Sequence, residues 1–185
     1  GGSDMNLPNK LTLLRVCLVP FFVFFLLAGW GRRGDIIALC LFIAASFTDY
    51  LDGHLARKYD LVTDYGKIMD PLADKILVYS ALCLFIESDI IAAWMLILIL
   101  AREFIVAGMR TVAASEGTVL AAGMSGKIKT VLQMAAVIVY LLALCLGEAK
   151  EMVMMAGNVI FWASLVMTVY SGAEYVWKNR SVFSM

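Results

Sequence analysis

Apolar positions fall in six long blocks along the chain, separated by short polar breaks. A helix needs about 20 apolar residues to cross the hydrocarbon core of a bilayer. Six segments meet that length: Leu11–Trp30, Ile36–His54, about Asp64 to Phe85, Ile90–Ala114, Gly126–Leu146 and Met152–Trp177. The second and third carry acidic residues at their facing ends. The connections are too short to hold a second domain, and no internal repeat or low-complexity segment is visible. The expected fold is an all-α integral membrane protein with six transmembrane helices, residues 5–185 making one domain. Asn6–Leu11 reads as a short amphipathic N-terminal segment, with Asn9 capping the first helix after Pro8. Gly1–Asp4 precede Met5 and read as an expression remnant outside the fold. The first apolar block is too long and unbroken for a signal peptide, and no small-residue cleavage site follows it.

Composition agrees with the pattern. Of 185 residues, 62% are apolar or aromatic and 16% charged, with a mean hydropathy of +0.86. Soluble domains run near 45–50% apolar and about 25% charged, and a water-soluble chain of this size could not hide so much apolar surface. Fifteen Lys+Arg balance fifteen Asp+Glu, so there is no overall basic field to hold nucleic acid. Cys17, Cys40, Cys83 and Cys145 are far apart within apolar runs, and His54 is the single histidine. That argues against a zinc or iron–sulfur site, and the thiols read as small hydrophobes facing lipid or core.

An even number of spans puts both termini on one side. Lys10, Arg15, Arg57, Lys58, Lys67, Lys75, Arg110, Lys127, Lys129, Lys178 and Arg180 fall on that side, against Arg32, Arg33 and Lys150 on the other. The bias of eleven to three assigns both termini and the 2–3 and 4–5 connections to the cytoplasm. Cations kept for chemistry would inflate that count.

The chemistry concentrates in Thr48-Asp49-Tyr-Leu-Asp52-Gly53-His-Leu-Ala56-Arg57 and Gly66-Lys-Ile-Met-Asp70-Pro71-Leu-Ala-Asp74-Lys75. Asp49 and Asp52 stand i, i+3, and Asp70 and Asp74 i, i+4, so each pair shares a helix face. A hairpin between the second and third spans brings the two faces together at the cytoplasmic boundary. Four carboxylates there repel one another, and ionised groups near hydrocarbon cost several kcal/mol each. Cations make such a cluster tolerable, and hard oxygen ligands suit Mg²⁺, Mn²⁺ or Ca²⁺ rather than zinc. Gly53 and Gly66 leave backbone open to a bulky ligand, Ala56 keeps the approach clear, and Arg57 offers a fork suited to phosphate. Paired divalent metals, an arginine and bare backbone make up a phosphoryl-transfer site. A purely structural ion-pair network is the bland alternative, but too few cations lie close in sequence to neutralise four carboxylates.

The pattern D-x-x-D-G-x-x-A-R-x8-G-x-x-x-D-x-x-x-D, from Asp49 to Asp74, resembles the signature of the CDP-alcohol phosphotransferases, matching at all eight specified positions. The resemblance implies six spans and transfer of a substituted phosphoryl group from a CDP-linked donor to an alcohol, releasing CMP. It implies two divalent cations, Mg²⁺ or Mn²⁺, held by Asp49, Asp52, Asp70 and Asp74. Asp49 and Asp70 would bridge them, Asp52 and Asp74 would each complete one site, and Asp74 would also be the general base. Asp52, Gly53, Ala56, Arg57 and Gly66, with Thr48 as a weaker candidate, would line the CDP/CMP pocket. His54 fills an unspecified position and reads as a surface residue.

Three further stretches are similar to the bacterial members that make phosphatidylglycerophosphate: Asn6-Leu-Pro-Asn-Lys-Leu-Thr-Leu-Leu-Arg15, Ala101-Arg102-Glu103 and Ser125-Gly-Lys127-Ile-Lys129-Thr130. That likeness implies CDP-diacylglycerol as donor, sn-glycerol 3-phosphate as acceptor, a homodimer, and a multi-pass place in the bacterial cell membrane with the active site facing the cytoplasm. A phosphorylated acceptor needs cations away from the metals. Arg110 and Lys127 are read as holding its phosphate rather than as snorkelling anchors; for Lys129 both readings stand. Arg102, Glu103 and Glu174, deeper in their spans, read first as a structural network or dimer contact, and adjacent Arg102 and Glu103 need not pair with each other. Sister enzymes with another acceptor are the close alternative. A divalent-cation transporter is the distant one, because such proteins place ionisable groups near the midplane, often on repeated halves.

Overall fold

The computed structural model describes residues 7–58, 64–115, 117–118, 120–121 and 123–180, with side chains described for 12–48, 72–73 and, within those ranges, from 75 onward. The chain forms α1 (Leu7–Leu27), α2 (Arg32–Lys58), α3 (Asp64–Glu87), α4 (Ala93–Ser115), α5 (Met124–Cys145) and α6 (Lys150–Lys178), with no strand among the described residues. Each expected block became one helix, displaced by a few residues at its ends. The lead-in differs: α1 is already helical from Leu7, so Asn9 lies inside its first turn rather than at its cap, and 7–11 are no separate segment. Pro8 permits this, because a first-turn residue needs no backbone N–H and its fixed φ suits the helix. Met124–Cys145 and Lys150–Lys178 are long and apolar enough to cross a membrane.

α5 and α6 pack along much of their lengths; α1 lies against α2 and α3, α2 also against α5, and α4 against α6. Phe22, Phe42, Leu77, Leu82, Phe85, Ile99, Tyr140, Leu141 and Phe161 are fully buried in one core. Tyr140 sits edge-on between Phe85 and Phe161 and donates to Asn158 Oδ1 at 2.8 Å, so its hydroxyl is satisfied inside the apolar interior. Gly157 makes room for it, since a Cβ there would stand 2.8 Å from the tyrosine ring. The outward faces are apolar too: Phe21, Phe24, Ile97, Phe104, Val131, Val159 and Val166 are all exposed. Cys145 is buried while Cys17, Cys40 and Cys83 are exposed on their helices, all as free thiols.

Two cations of the expected cytoplasmic set do not act as surface anchors. Arg15 is 0% exposed, and its Nε donates to the Ala45 carbonyl of α2 at 3.2 Å. Lys129 is 4% exposed. Both lie about a turn or two inside their helices, where a long side chain reaches a neighbouring helix instead of solvent.

Candidate active site

The carboxylate signature is carried by the last turns of α2 and the first turns of α3, so Asp49, Asp52, Gly53, Ala56 and Arg57 share one helix and Gly66, Asp70 and Asp74 the next. Their side chains, with that of His54, lie outside the described residues. Thr48, just before them, donates its hydroxyl to the Ala44 carbonyl at 2.7 Å, a satisfied intrahelical bond. As a donor set, four carboxylates are hard oxygen ligands and fit Mg²⁺ or Mn²⁺.

The structure opens a cavity of about 780 Å³, lined by Lys75 at the middle of α3, directly after Asp74 in the chain, and by the C-terminal half of α4, the N-terminus of α5 and the C-terminus of α6. Alternating helix directions bring these parts of α4, α5 and α6 to the level of Lys75. Lys75, Arg102, Arg110, Lys127 and Lys178 line it against two carboxylates, Glu103 and Glu174. The excess of positive charge, with hydroxyls from Ser125, Thr130 and Ser171, suits a small phosphorylated ligand.

Each cation is held differently. Arg110 donates through Nε to the Tyr175 hydroxyl at 3.1 Å and lies 5.4 Å from that ring's centre, and among the described residues the Nη groups are the unassigned ends of the fork. Arg102 turns back on its neighbour, Nη1 to Glu103 Oε1 at 3.0 Å. The pair forms although adjacent residues diverge on a helix, because the arginine stem is long enough to bend round. Gly126 and Gly172 give that stem its passage: a Cβ on the first would meet Arg102 Nη2 at 3.1 Å, and on the second Arg102 Cγ at 3.0 Å. Lys178 pairs with Glu174, whose other oxygen accepts from Ser125 Oγ at 2.5 Å. That hydrogen bond to Glu174 raises the Lys178 ammonium above its ordinary value, so it stays charged.

Lys127 and Lys129 part company. Lys127 lines the cavity. Lys129, two residues on, is buried and bound to Glu103 Oε1 at 2.6 Å, so it neither snorkels to the surface nor lines that cavity.

Residues 5–170 match the family model for CDP-alcohol phosphatidyltransferases. The chain belongs to that family. It is 45% identical to a Bacillus subtilis (strain 168) protein named CDP-diacylglycerol–glycerol-3-phosphate 3-phosphatidyltransferase, over 94% of this chain and 95% of the relative. A Rickettsia felis protein of the same name is 35% identical over 93% of this chain and 94% of its own. A Mycobacterium tuberculosis (strain ATCC 25618 / H37Rv) protein named probable phosphatidylglycerophosphate synthase is 37% identical over 92% and 80%.

In this member of the family, sequence spacing alone gave no site role to three cavity residues, Lys75, Tyr175 and Lys178, and read Arg102 only as part of a structural network or dimer contact. Lys75 and Lys178 counted only as anchors, and Tyr175 drew no notice. The one available signal was the i, i+4 spacing of Glu174 and Lys178, which places both on the α6 face that also carries Ser171.

Proposed function

We propose that this chain transfers the phosphatidyl group of CDP-diacylglycerol to a hydroxyl of sn-glycerol 3-phosphate, giving phosphatidylglycerophosphate and CMP. The observation that carries this reading is the cation-lined cavity between α3, α4, α5 and α6, which takes in Lys75, the residue directly after Asp74 of the carboxylate signature, in a CDP-alcohol phosphatidyltransferase. The likeness to relatives named for this reaction points the same way.

Asp49, Asp52, Asp70 and Asp74 would hold two divalent cations, Mg²⁺ or Mn²⁺. Such ions supply positive charge that neutralises the diphosphate and the departing CMP. Gly53, Ala56, Arg57 and Gly66, with Asp52 and Thr48, receive the cytidine nucleotide. Arg110 and Lys127 hold the acceptor phosphate, while Lys129 contributes through Glu103. Asp74 takes the proton from the acceptor hydroxyl as its oxygen bonds to the donor phosphorus and the bond to CMP breaks. A carboxylate base suffices where nearby positive charge already acidifies that hydroxyl. The reaction needs no serine, cysteine or histidine nucleophile.

The same reading makes the molecule a single domain, residues 5–185, with six transmembrane helices, both termini and the site at the cytoplasmic face of a bacterial cell membrane, and a homodimer as its assembly. Exposed apolar residues along α1, α4, α5 and α6 suit lipid contact, and the basic bias of the cavity end suits the cytoplasmic side. The deciding experiment is an acceptor panel with labelled CDP-diacylglycerol, scored for CMP release. Glycerol 3-phosphate should far outrun glycerol, serine and inositol phosphate. Equal rates with glycerol and glycerol 3-phosphate would remove the phosphate pocket and the acceptor with it.

A further inference from the structure

Glu103 is one carboxylate shared by three cations. Its Oε1 accepts from Lys129 of α5 at 2.6 Å and from Arg102 of α4 at 3.0 Å, and its Oε2 faces Lys75 of α3 at 3.0 Å. We propose that Glu103 is a positioning residue for the transfer. By holding Lys75 it fixes the turn of α3 that carries Asp74 against the acceptor cavity. By neutralising Arg102 and Lys129 it keeps those charges from competing for the substrate phosphate. The proposal rests on reading that cavity as the acceptor site.

Several observations converge on this role. Both carboxylate oxygens are engaged in charge-assisted contacts, so Glu103 has no free oxygen to act as a base on the substrate. It is 9% exposed, in a setting where a lone carboxylate would be strongly disfavoured and a fully paired one is tolerated. Lys75 follows Asp74 directly in the chain, and its half-open side chain is the α3 contribution to the cavity wall. Among the described residues α3 packs mainly on α1 and meets α4 and α5 only over short stretches. The Lys75–Glu103–Lys129 bridge is a charged tie from α3 to both helices that frame the acceptor, separate from the apolar packing of Phe85 on Tyr140. Arg102 is wedged beside Gly126 and Gly172, which gives the network a rigid base on α4.

The test is a double-mutant cycle on purified enzyme in detergent micelles with Mg²⁺, using Glu103→Gln, Lys75→Gln and both together. Steady-state constants are taken for CDP-diacylglycerol and for whichever acceptor gives CMP release with wild type. A wrong acceptor assignment then shows in wild type, and a wrong role for Glu103 shows in the cycle. Glu103→Gln should lower kcat about 30-fold and Lys75→Gln about tenfold, with the KM for CDP-diacylglycerol within about twofold. The double variant should fall no more than about twofold below Glu103→Gln, because both changes cut the same bridge. Lys75→Arg should recover most of the lost kcat. Multiplicative losses would overturn the proposal, as would a lowered melting temperature with kcat unchanged. If Glu103→Gln fails to fold, Lys75→Gln decides alone: its side chain is 41% exposed and its loss leaves Glu103 paired twice. Unchanged kcat in that variant would also overturn it.

Discussion

The carboxylate hairpin and the basic cavity are built on opposite principles. The hairpin is local in sequence: eight specified residues between Asp49 and Asp74, at helical spacings, on two consecutive helices. The cavity draws its cations from Lys75 to Lys178, on four helices, and no spacing rule links them. Metal ligation asks for a fixed set of like-charged groups that must be neutralised together, which leaves a tight pattern in the chain. Phosphate recognition asks only that enough cations converge, and any helix end near the cavity can supply one. Like charges gathered for a ligand are therefore easier to read in sequence than opposite charges gathered by packing.

Substitutions on either side of that divide should separate the two regions, beginning with the hairpin. Asp70→Asn should cut CMP release roughly 1,000-fold while the protein still folds, because a ligand charge is lost but the side-chain volume is kept. Chelation should do the same, reversed by Mg²⁺ or Mn²⁺; full activity in excess EDTA would sink the two-cation reading. Asp74→Asn should lower kcat about 100-fold or more with little change in CDP-diacylglycerol binding, since proton abstraction is felt only in the transition state. Near-normal turnover would take Asp74 out of that role.

Cavity substitutions should act on the acceptor instead. If Arg110 holds the acceptor phosphate as proposed, Arg110→Ala should cost roughly 2–3 kcal/mol, or about 30–150-fold in kcat/KM for glycerol 3-phosphate, seen chiefly in KM. Arg110→Lys should restore only part, because a point charge does not reproduce the fork. If Arg110 were a snorkelling anchor, both KM values would hold and insertion or stability would fall. Tyr175→Phe deletes the hydroxyl that accepts from Arg110 Nε and should raise the acceptor KM about fivefold, with kcat kept. The smallest effect belongs to Lys178→Ala, about twofold, because its pairing with Glu174 is solvent-exposed and screened. A larger loss there would mean that Lys178 leaves Glu174 to bind the phosphate directly.

Lys127 and Lys129 show where legibility stopped. Both belong to one short basic stretch at the start of α5 and both count equally toward a cytoplasmic bias, yet one lines the cavity and the other is buried against Glu103. Two residues along a helix are about 200° apart, so one faces the opening and the other the neighbouring helices. Which was which depended on where α4 lay. Arg102 and Glu103 carry the same lesson: as neighbours they gave no reason to pair, and their contact follows from the passage beside Gly126 and Gly172.

The six helices and the grouping of the four aspartates on two of them were legible in the chain alone, because hydrophobic block length and i, i+3 or i, i+4 spacing are properties of a single helix and its neighbours in the chain. Even there, the start of α1 moved from the expected cap at Asn9 back to Leu7, since a proline fits the first helical turn as well as the residue before it. Helix packing, in contrast, settled which of the scattered cations face one cavity, which pair with Glu103 and Glu174, and which tyrosine steadies Arg110. Several of those outcomes hang on contacts between residues far apart in the chain, 26 for Lys129 with Glu103 and 65 for Arg110 with Tyr175. Long charged side chains can reach several partners, and helix packing selects among them.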